Sequence, residues 1–352
     1  MIKVLNGLRG YAAVFVVLAH MPQMSSSSLG EFFSNLLSFS RIAYISVDIF
    51  FVLSGFLITR NLLKELKKTD FISFKSFYFK RFLRLFPIYY LTLILVWIFI
   101  DNRFLLEAGL YLQNYTFSFY FDPHPLRHTW SLAVEEHFYL FWPLLVLFLH
   151  NKKNSSKIII SISLIFAVFS TIIFMIYFEE KSVIYLISKS SNTRFLSLAC
   201  GGLLAYHENS IRCIKHNYRF LGYSIFMLSI AVFSRLVFNP GIIYALCLYL
   251  FSFSGCILLF IFVLNLEEKR SVFNKVFTNK FIVLMGAISY SLYLYHYPIF
   301  YLFGMTNKQM FHNNVDYFEP SYVLMVVLLC FVVALLSYYL IEKPLMKLKN
   351  KV

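Results

Sequence analysis

A chain of 352 residues that is 59% hydrophobic and only 14% charged, with a mean hydropathy of +0.69, carries too much apolar surface for one water-soluble core. Its 20% aromatic content, with 12 Gly and 9 Pro, excludes a disordered, collagen-like or coiled-coil chain. The formal charge of +15 sits in short loops between apolar runs, where it reads as membrane topology and not as a nucleic-acid surface.

A helix needs about 20 apolar residues to cross the hydrocarbon, and ten stretches approach that length. The predicted fold class is therefore all-α: a polytopic integral membrane protein of about ten transmembrane helices. The first stretch, near 8–24, carries Arg9 and His20 and no evident small-residue cleavage site, so it reads as a retained helix and not a signal peptide. The second, 42–60, carries Asp48, with Arg41 as a candidate partner. The third, 85–100, follows Arg81 and Arg84, which are three residues apart on one helical face and are followed at once by Pro87. Residues 101–130 form the longest connection, too short to fold alone. Its Asn114-Tyr115-Thr116 sequon is too short a pattern to carry weight, and His124 and His128 lack a third metal ligand at a sensible spacing. The fourth stretch, 131–149, contains Glu135, Glu136 and His137; Glu135 shares a face with Ser131 and Tyr139, four residues to either side. The fifth to eighth stretches are 157–178, 194–208, 219–238 and 242–264, the sixth short and the last two separated only by Asn239, Pro240 and Gly241. His296 lies in the ninth, 282–303, and Glu342 just after the tenth, 321–341. Cysteines 200, 213, 247, 256 and 330 form no CxxC pair and read as core residues, so no disulfide framework and no metal is expected.

With the N-terminus inside, 24 of the 32 Lys and Arg fall in inner segments and 8 in outer ones, so both termini are expected to be cytoplasmic. No loop is long enough for a soluble domain, which leaves residues 1–352 as one membrane domain with no appended soluble domain. The halves show no internal duplication, which weakens a transporter built from repeats.

Ionisable groups inside hydrocarbon are costly unless they meet a partner or a wet cavity, so each is a functional candidate. From Arg9 to His20 the helix rises about 16 Å, and Asp48 and Glu135 fall about 9 Å and 6 Å below the opposite edge. Four titratable groups, His20, Asp48, Glu135 and His296, thus share one half of the bilayer, while Arg9, Arg60, Arg81 and Arg84 share the other end. A bland reading stands beside each. His20 or His296 can be a satisfied interhelical hydrogen bond, Asp48 can be neutralised structurally, and the arginines can be positive-inside anchors.

The segments LNGLRGYAAVFVVLAH (5–20), VDIFFVLSGFLIT (47–59), RFLRLFPIYY (81–90), HTWSLAVEEHFYLFWP (128–143), ISYSLYLYHYPI (288–299) and YYLIEKPL (338–345) occur in this order. Together they resemble acyltransferase family three, integral membrane enzymes that acylate O-antigens, exopolysaccharides and related glycans, and six ordered motifs spanning the whole chain make the resemblance specific. It implies ten core helices in a bacterial inner membrane, acetyl-CoA as acyl donor from the cytoplasm, and a glycan or lipid-linked glycan hydroxyl as acceptor. By motif, Arg9 and His20 match the family's Arg-x10-His, Arg81 and Arg84 its Arg-x-x-Arg, and Glu135 the acid of its Trp-Ser-Leu-x-x-Glu-x-x-Phe-Tyr, which also contains Tyr139. Ser54, His296 and Glu342 match positions expected to support the site. The chain stops nine residues after Lys343, so it resembles the stand-alone O-antigen and exopolysaccharide type.

Acetyl transfer from a thioester to a hydroxyl needs a pocket for a polyanionic carrier and a base for the hydroxyl. Arg9, Arg81 and Arg84 suit the carrier's phosphates. His20 suits either a general base or a nucleophile, oriented by Glu135 or, as second choice, by Asp48. Beyond the glycan, the expected partners are membrane lipids and not nucleic acid. The competing reading is a transporter or flippase for a lipid-linked sugar, using the same buried groups as a proton relay.

Overall fold

The computed structural model describes residues 2–22, 41–120, 124–152, 154–214, 218–237, 241–266, 271–305 and 318–348. Its regular elements among these residues are helices. In chain order they are α1 (Lys3–Ala19), α2 (Arg41–Thr69), α3 (Phe74–Phe99), the short α4 (Leu105–Gly109) and α5 (Gln113–Thr116), α6 (Trp130–Leu149), α7 (Ser155–Tyr177), α8 (Glu180–Lys189), α9 (Ser191–Tyr206), α10 (Glu208–Arg212), α11 (Tyr218–Val237), α12 (Ile242–Asn265), α13 (Val272–Thr278), α14 (Lys280–Ala287), α15 (Ser289–Leu302) and α16 (Pro320–Ser337). A π-turn over Tyr338–Glu342 leads into α17 (Lys343–Leu348).

Each of the ten apolar stretches falls on a helix. Six helical segments among the described residues, Ala43–Thr69, Phe74–Phe99, Arg127–Leu149, Ser155–Tyr177, Ile242–Asn265 and Pro320–Leu348, are long and apolar enough to cross a membrane. The other four stretches fall on shorter or broken helices. α1 has 17 residues and α9 has 16, α11 is described as an apolar helix over Tyr218–Ser234, and the ninth stretch is split into α14 and α15 at Ile288, whose ψ of 3° leaves the helical path. Asn239 and Pro240 and the Arg41 side chain lie outside the described residues.

The solvent for this protein is lipid. Ile165, Phe169, Ile172 and Ile176 run along α7 at least half exposed, and Trp97, Phe99, Leu324 and Leu328 do the same on α3 and α16. Such a collar of large apolar side chains is stable only in hydrocarbon. The protein is a multi-pass membrane protein.

Between helices, where lipid gives no hydrophobic drive to associate, close packing needs small residues. A Cβ added at Gly7 or Gly10 of α1 would stand 1.8 Å or 2.2 Å from the carbonyl oxygen of Phe277 or Ile282, and one at Gly286 would meet the Asn6 carbonyl at 2.0 Å. The Asn6 amide donates to the Val283 carbonyl at 2.9 Å across the same seam. Gly55 of α2 and Gly201 of α9 form a second seam, where an added Cβ would sit 1.9 Å from the Leu198 oxygen or 2.2 Å from the Val52 oxygen. Gly202 leaves room for Trp142 of α6, whose indole donates to Thr59 at 2.7 Å. The first seam holds α1 against α13 and α14, and the second holds α2 and α6 against α9.

The cysteines are not all core residues as the sequence suggested. Cys256 and Cys330 are buried and Cys200 and Cys247 half-buried, but Cys213 is exposed, because it follows α10 in the short polar connection and not in an apolar run. The Asn114 side chain of the sequon is buried, its amide donating to Ser191 at 3.0 Å, which leaves no room for a glycan.

Candidate active site

One cavity of about 360 Å³ opens at the end of the bundle where α1 starts and α2 ends. Arg9 enters it from α1, Ser54 and Arg60 from α2, Arg81 and Arg84 from α3, Ser131, Glu135 and Tyr139 from α6, and Tyr290 and Tyr293 from α15. The helical spacing foreseen for Glu135 and Tyr139 puts both on the cavity face. The Tyr139 hydroxyl donates to Glu135 Oε2 at 2.5 Å, and Ser54 lies 2.7 Å from the Tyr139 hydroxyl and 3.4 Å from the same carboxylate oxygen. Glu135 is thus held by two hydroxyls and, among the described residues, by no cation within 4 Å.

The arginines differ in how they are balanced. Arg60 donates to Glu208 at 2.6 Å, and that carboxylate also accepts from Arg212 at 2.8 Å. Arg9, Arg81 and Arg84 form no ion pair among the described residues; Arg81 instead lies over the Tyr139 ring, 5.3 Å from its centroid. Besides the paired Arg60, three guanidinium groups therefore share the cavity with one lining carboxylate. That surplus of positive charge, half-sheltered from water, suits a ligand with several negative charges.

His20 does not line this cavity. It ends α1, and its Nδ1–H donates to the Val16 carbonyl at 2.8 Å. In the neutral ring this partner, from which the tautomer is inferred, leaves a lone pair on Nε2. His296 of α15 likewise donates from Nδ1 to Leu292 at 3.1 Å and turns Nε2 toward His20 Nδ1 at 3.4 Å. His128 completes the group with its ring centroid 5.1 Å from that of His296. Tyr293 stands between the two regions. Its hydroxyl, in the cavity wall, is 2.7 Å from Ser131 and donates to the His128 carbonyl at 2.6 Å, while its ring packs on His128 and His296.

The structure thus gathers Arg9, Arg81, Arg84, Ser54, Glu135 and Tyr139 around one cavity and joins His20 to His296 behind it. It does not bring either carboxylate to His20. Glu135 faces the arginine cavity, and Asp48 is turned to α9 and α12, where it accepts from Arg194 at 3.0 Å and from Ser197 at 3.4 Å and is bonded by Ser252. The expectation that Glu135 or Asp48 orients the imidazole is corrected: the Val16 carbonyl and His296 take that position. Depth along a helix was readable from spacing, but the rotation of each helix about its axis, which decides the partner, was not. Glu342 bonds Ser291, which also lies 3.0 Å from Ser337, so it ties the π-turn to α15 and does not line the cavity. Arg194, at the start of the 194–208 stretch, reads from sequence as a loop charge; the signal that points to it is Asp48, a carboxylate deep in a span that needs a cation. His124 and His128 turn apart, the first to the Arg103 carbonyl at 3.1 Å and the second to that of Leu294 at 3.2 Å.

Surplus positive charge thus lies at one end of a helical bundle and a histidine with a free ring nitrogen further along the same helix. The chain belongs to acyltransferase family three: the family's acyltransferase-domain model matches residues 2–342. It is 28% identical over 380 residues to the peptidoglycan O-acetyltransferase OatA of Listeria monocytogenes, covering 97% of this chain and 55% of that protein. It is also 28% identical over 370 residues to the O-acetyltransferase OatA of Staphylococcus aureus, covering 97% of this chain and 57% of that one. The chain therefore spans little more than half the length of these relatives. No solved structure matches it.

Proposed function

We propose that the chain transfers an acetyl group from acetyl-CoA to a hydroxyl of a cell-surface glycan, working as a membrane-bound O-acyltransferase in a bacterial cytoplasmic membrane with both termini and the arginine cavity on the cytoplasmic side. The names of the relatives favour peptidoglycan over O-antigen or exopolysaccharide as the glycan. The observation that carries the reading is the pairing, on α1 alone, of Arg9 in a cavity with three unpaired guanidinium groups and His20 with a free Nε2.

The residues fit the donor by charge. Arg9, Arg81 and Arg84 would hold the phosphates through paired, charge-assisted hydrogen bonds, and Arg60, already neutralised by Glu208, would frame the mouth. Acetyl-CoA supplies the acetyl group as an activated thioester. Glu135, fixed by Tyr139 and Ser54, keeps the net charge of the cavity from rising further and positions those hydroxyls in its wall. At His20 the Val16 carbonyl holds the proton on Nδ1, so Nε2 is the atom that accepts the proton of the glycan hydroxyl, or attacks the acyl carbon if the group is relayed. The His296 Nε2 lone pair facing Nδ1 stabilises the imidazolium formed when Nε2 takes a proton.

The test is the O-acetyl content of the producing cell's surface glycans by NMR, with kinetics on purified protein. His20→Ala should remove the acetyl signal and lower kcat by about 10²-fold or more while the protein still inserts. Arg84→Ala should leave kcat within a few-fold and raise the donor KM roughly tenfold, the worth of one charge-assisted hydrogen bond. A His20→Ala protein with full activity would overturn the mechanism. Loss of sugar transport with no change in acyl turnover would point to the flippase reading instead.

A further inference from the structure

A second cavity, of about 490 Å³, lies beside the arginine cavity at the same end of the bundle. Its walls come from the last turns of α2, the start of the α6–α7 connection and the junction of α9 with α10. The two cavities meet at one side chain, because Arg60 lines both. Arg60 is held there by Glu208 at 2.6 Å, and Arg212 takes the other oxygen of that carboxylate at 2.8 Å. Arg60, Lys64 and Lys67 are four and three residues apart, which turns them to one face of α2; all three line the second cavity and Lys68 does not.

The acids in the lining are Asp70 and Glu208, and Glu208 is already divided between Arg60 and Arg212. Lys64 and Lys67 therefore bring more positive charge to the lining than Asp70 offsets, which favours a phosphate. Leu63, Leu66 and Tyr206 give the cavity an apolar and aromatic portion that suits a flat heterocycle. The amide side chains of Asn151 and Asn209, in the same lining, can donate to and accept from a purine edge. The direction of the donor then selects the occupant. In the acyl-transfer reading the thioester points along α1 toward His20, away from the mouth, while Arg9, Arg81 and Arg84 hold phosphate. Acetyl-CoA carries its thioester arm on one side of a pyrophosphate and a phosphorylated adenosine on the other. An arm directed inward leaves the adenosine directed outward past Arg60, where the second cavity begins.

We propose that the second cavity is a nucleotide subsite, in which Lys64 and Lys67 take the ribose phosphate of the donor and the wall of Leu63, Leu66 and Tyr206 takes its adenine. This rests on the acyl-transfer reading and adds a donor specificity to it. The chain selects a thioester that bears a nucleotide over a pantetheine thioester without adenosine, such as one carried on a protein. The headgroup phosphate of an anionic lipid has the same charge chemistry, and the experiment separates the two sources.

The experiment titrates the full chain in detergent with CoA, dephospho-CoA and phosphopantetheine and reads each Kd by calorimetry. CoA should bind about tenfold more tightly than dephospho-CoA, the worth of one charge-assisted contact, and phosphopantetheine more weakly than either. Lys64→Ala combined with Lys67→Ala should bring the Kd of CoA close to that of dephospho-CoA, while Lys68→Ala keeps the parent ratio. Equal Kd values for CoA and dephospho-CoA, or a ratio that survives the double variant, would overturn the subsite. The lipid arm compares Tm in nanodiscs with and without phosphatidylglycerol, and the double variant should respond to that lipid as the parent does. A double variant that keeps all three Kd values but loses stabilisation by phosphatidylglycerol would overturn the subsite and assign the cavity to a lipid headgroup. Failure of all three ligands to bind would refute the donor reading itself, whereas equal binding of all three refutes only the subsite.

Discussion

Asp48 and Arg194 are 0% and 1% exposed, respectively, and each would be prohibitively costly in hydrocarbon without the other. The carboxylate also takes bonds from Ser197 and Ser252, and the guanidinium lies over Tyr249 at 4.8 Å and Trp130 at 5.5 Å. Asp48→Asn leaves the guanidinium uncompensated and should cost about 3–5 kcal/mol, read as a fall in the thermal midpoint of the detergent-solubilised protein. Asp48→Leu combined with Arg194→Met removes both charges and should recover most of the loss. If the single variant were as stable as the parent, the pair would not be structural. Sequence reasoning found Asp48 as an anomaly because any buried charge is conspicuous in a bilayer. It assigned the residue to the site because its depth matched His20. The same rule of cost located Arg9, Glu135 and His296, but depth alone grouped Glu135 with His20 and His296, whereas its side chain lines the arginine cavity. The pairings escaped it because a partner such as Arg194 stands at a span's edge, where a basic residue looks like an ordinary topological signal.

At the scale of the helix, two glycine seams set where α1 and α2 cross their neighbours, and so where Arg9 and Ser54 enter the cavity. Gly55→Ala would force a methyl to within 1.9 Å of the Leu198 oxygen, so the crossing must open. Overpacking of this kind costs about 1–3 kcal/mol, and here it should also lower activity by displacing Ser54 from Glu135 and Tyr139. Gly222→Ala is the control. Nothing lies within 4 Å of the added Cβ on that helix, and alanine there should be neutral or stabilising by about 0.5–1 kcal/mol. Thermal midpoints of the two variants in one detergent decide the matter; equal midpoints would remove the seam from the account. Nothing in the sequence around Gly55 indicates which helix it meets. Hydrophobic length marked the helices well, since every apolar stretch is helical. It overstated their continuity at Ile288, where Gly286 of α14 is drawn onto the Asn6 carbonyl and the chain bends before α15 begins. A local run of apolar residues carries no record of such a tertiary contact.

At the scale of the molecule, six short motifs scattered over most of the chain become one neighbourhood. The first, third and fourth, with Ser54 from the second, meet around the arginine cavity; the fifth supplies Tyr293 and His296 between and behind; the sixth, through Glu342, braces α15 from outside. Their order was legible because each motif is a polar interruption in an apolar helix. The partner of Asp48 was not, because Arg194 belongs to no motif and looks like a loop charge until the fold encloses it. The arrangement also contains its own reporter of orientation. Cys213 is the one exposed thiol among five, and it sits directly after Arg212, which shares Glu208 with Arg60 at the mouth of the arginine cavity. A membrane-impermeant maleimide should leave the protein unlabelled in intact cells and label it, at that cysteine, only once the membrane is opened. Labelling from outside would turn the whole bundle over and place the donor cavity on the wrong face for a cytoplasmic cosubstrate, so a single native thiol can arbitrate the sidedness of the entire reaction without an engineered tag.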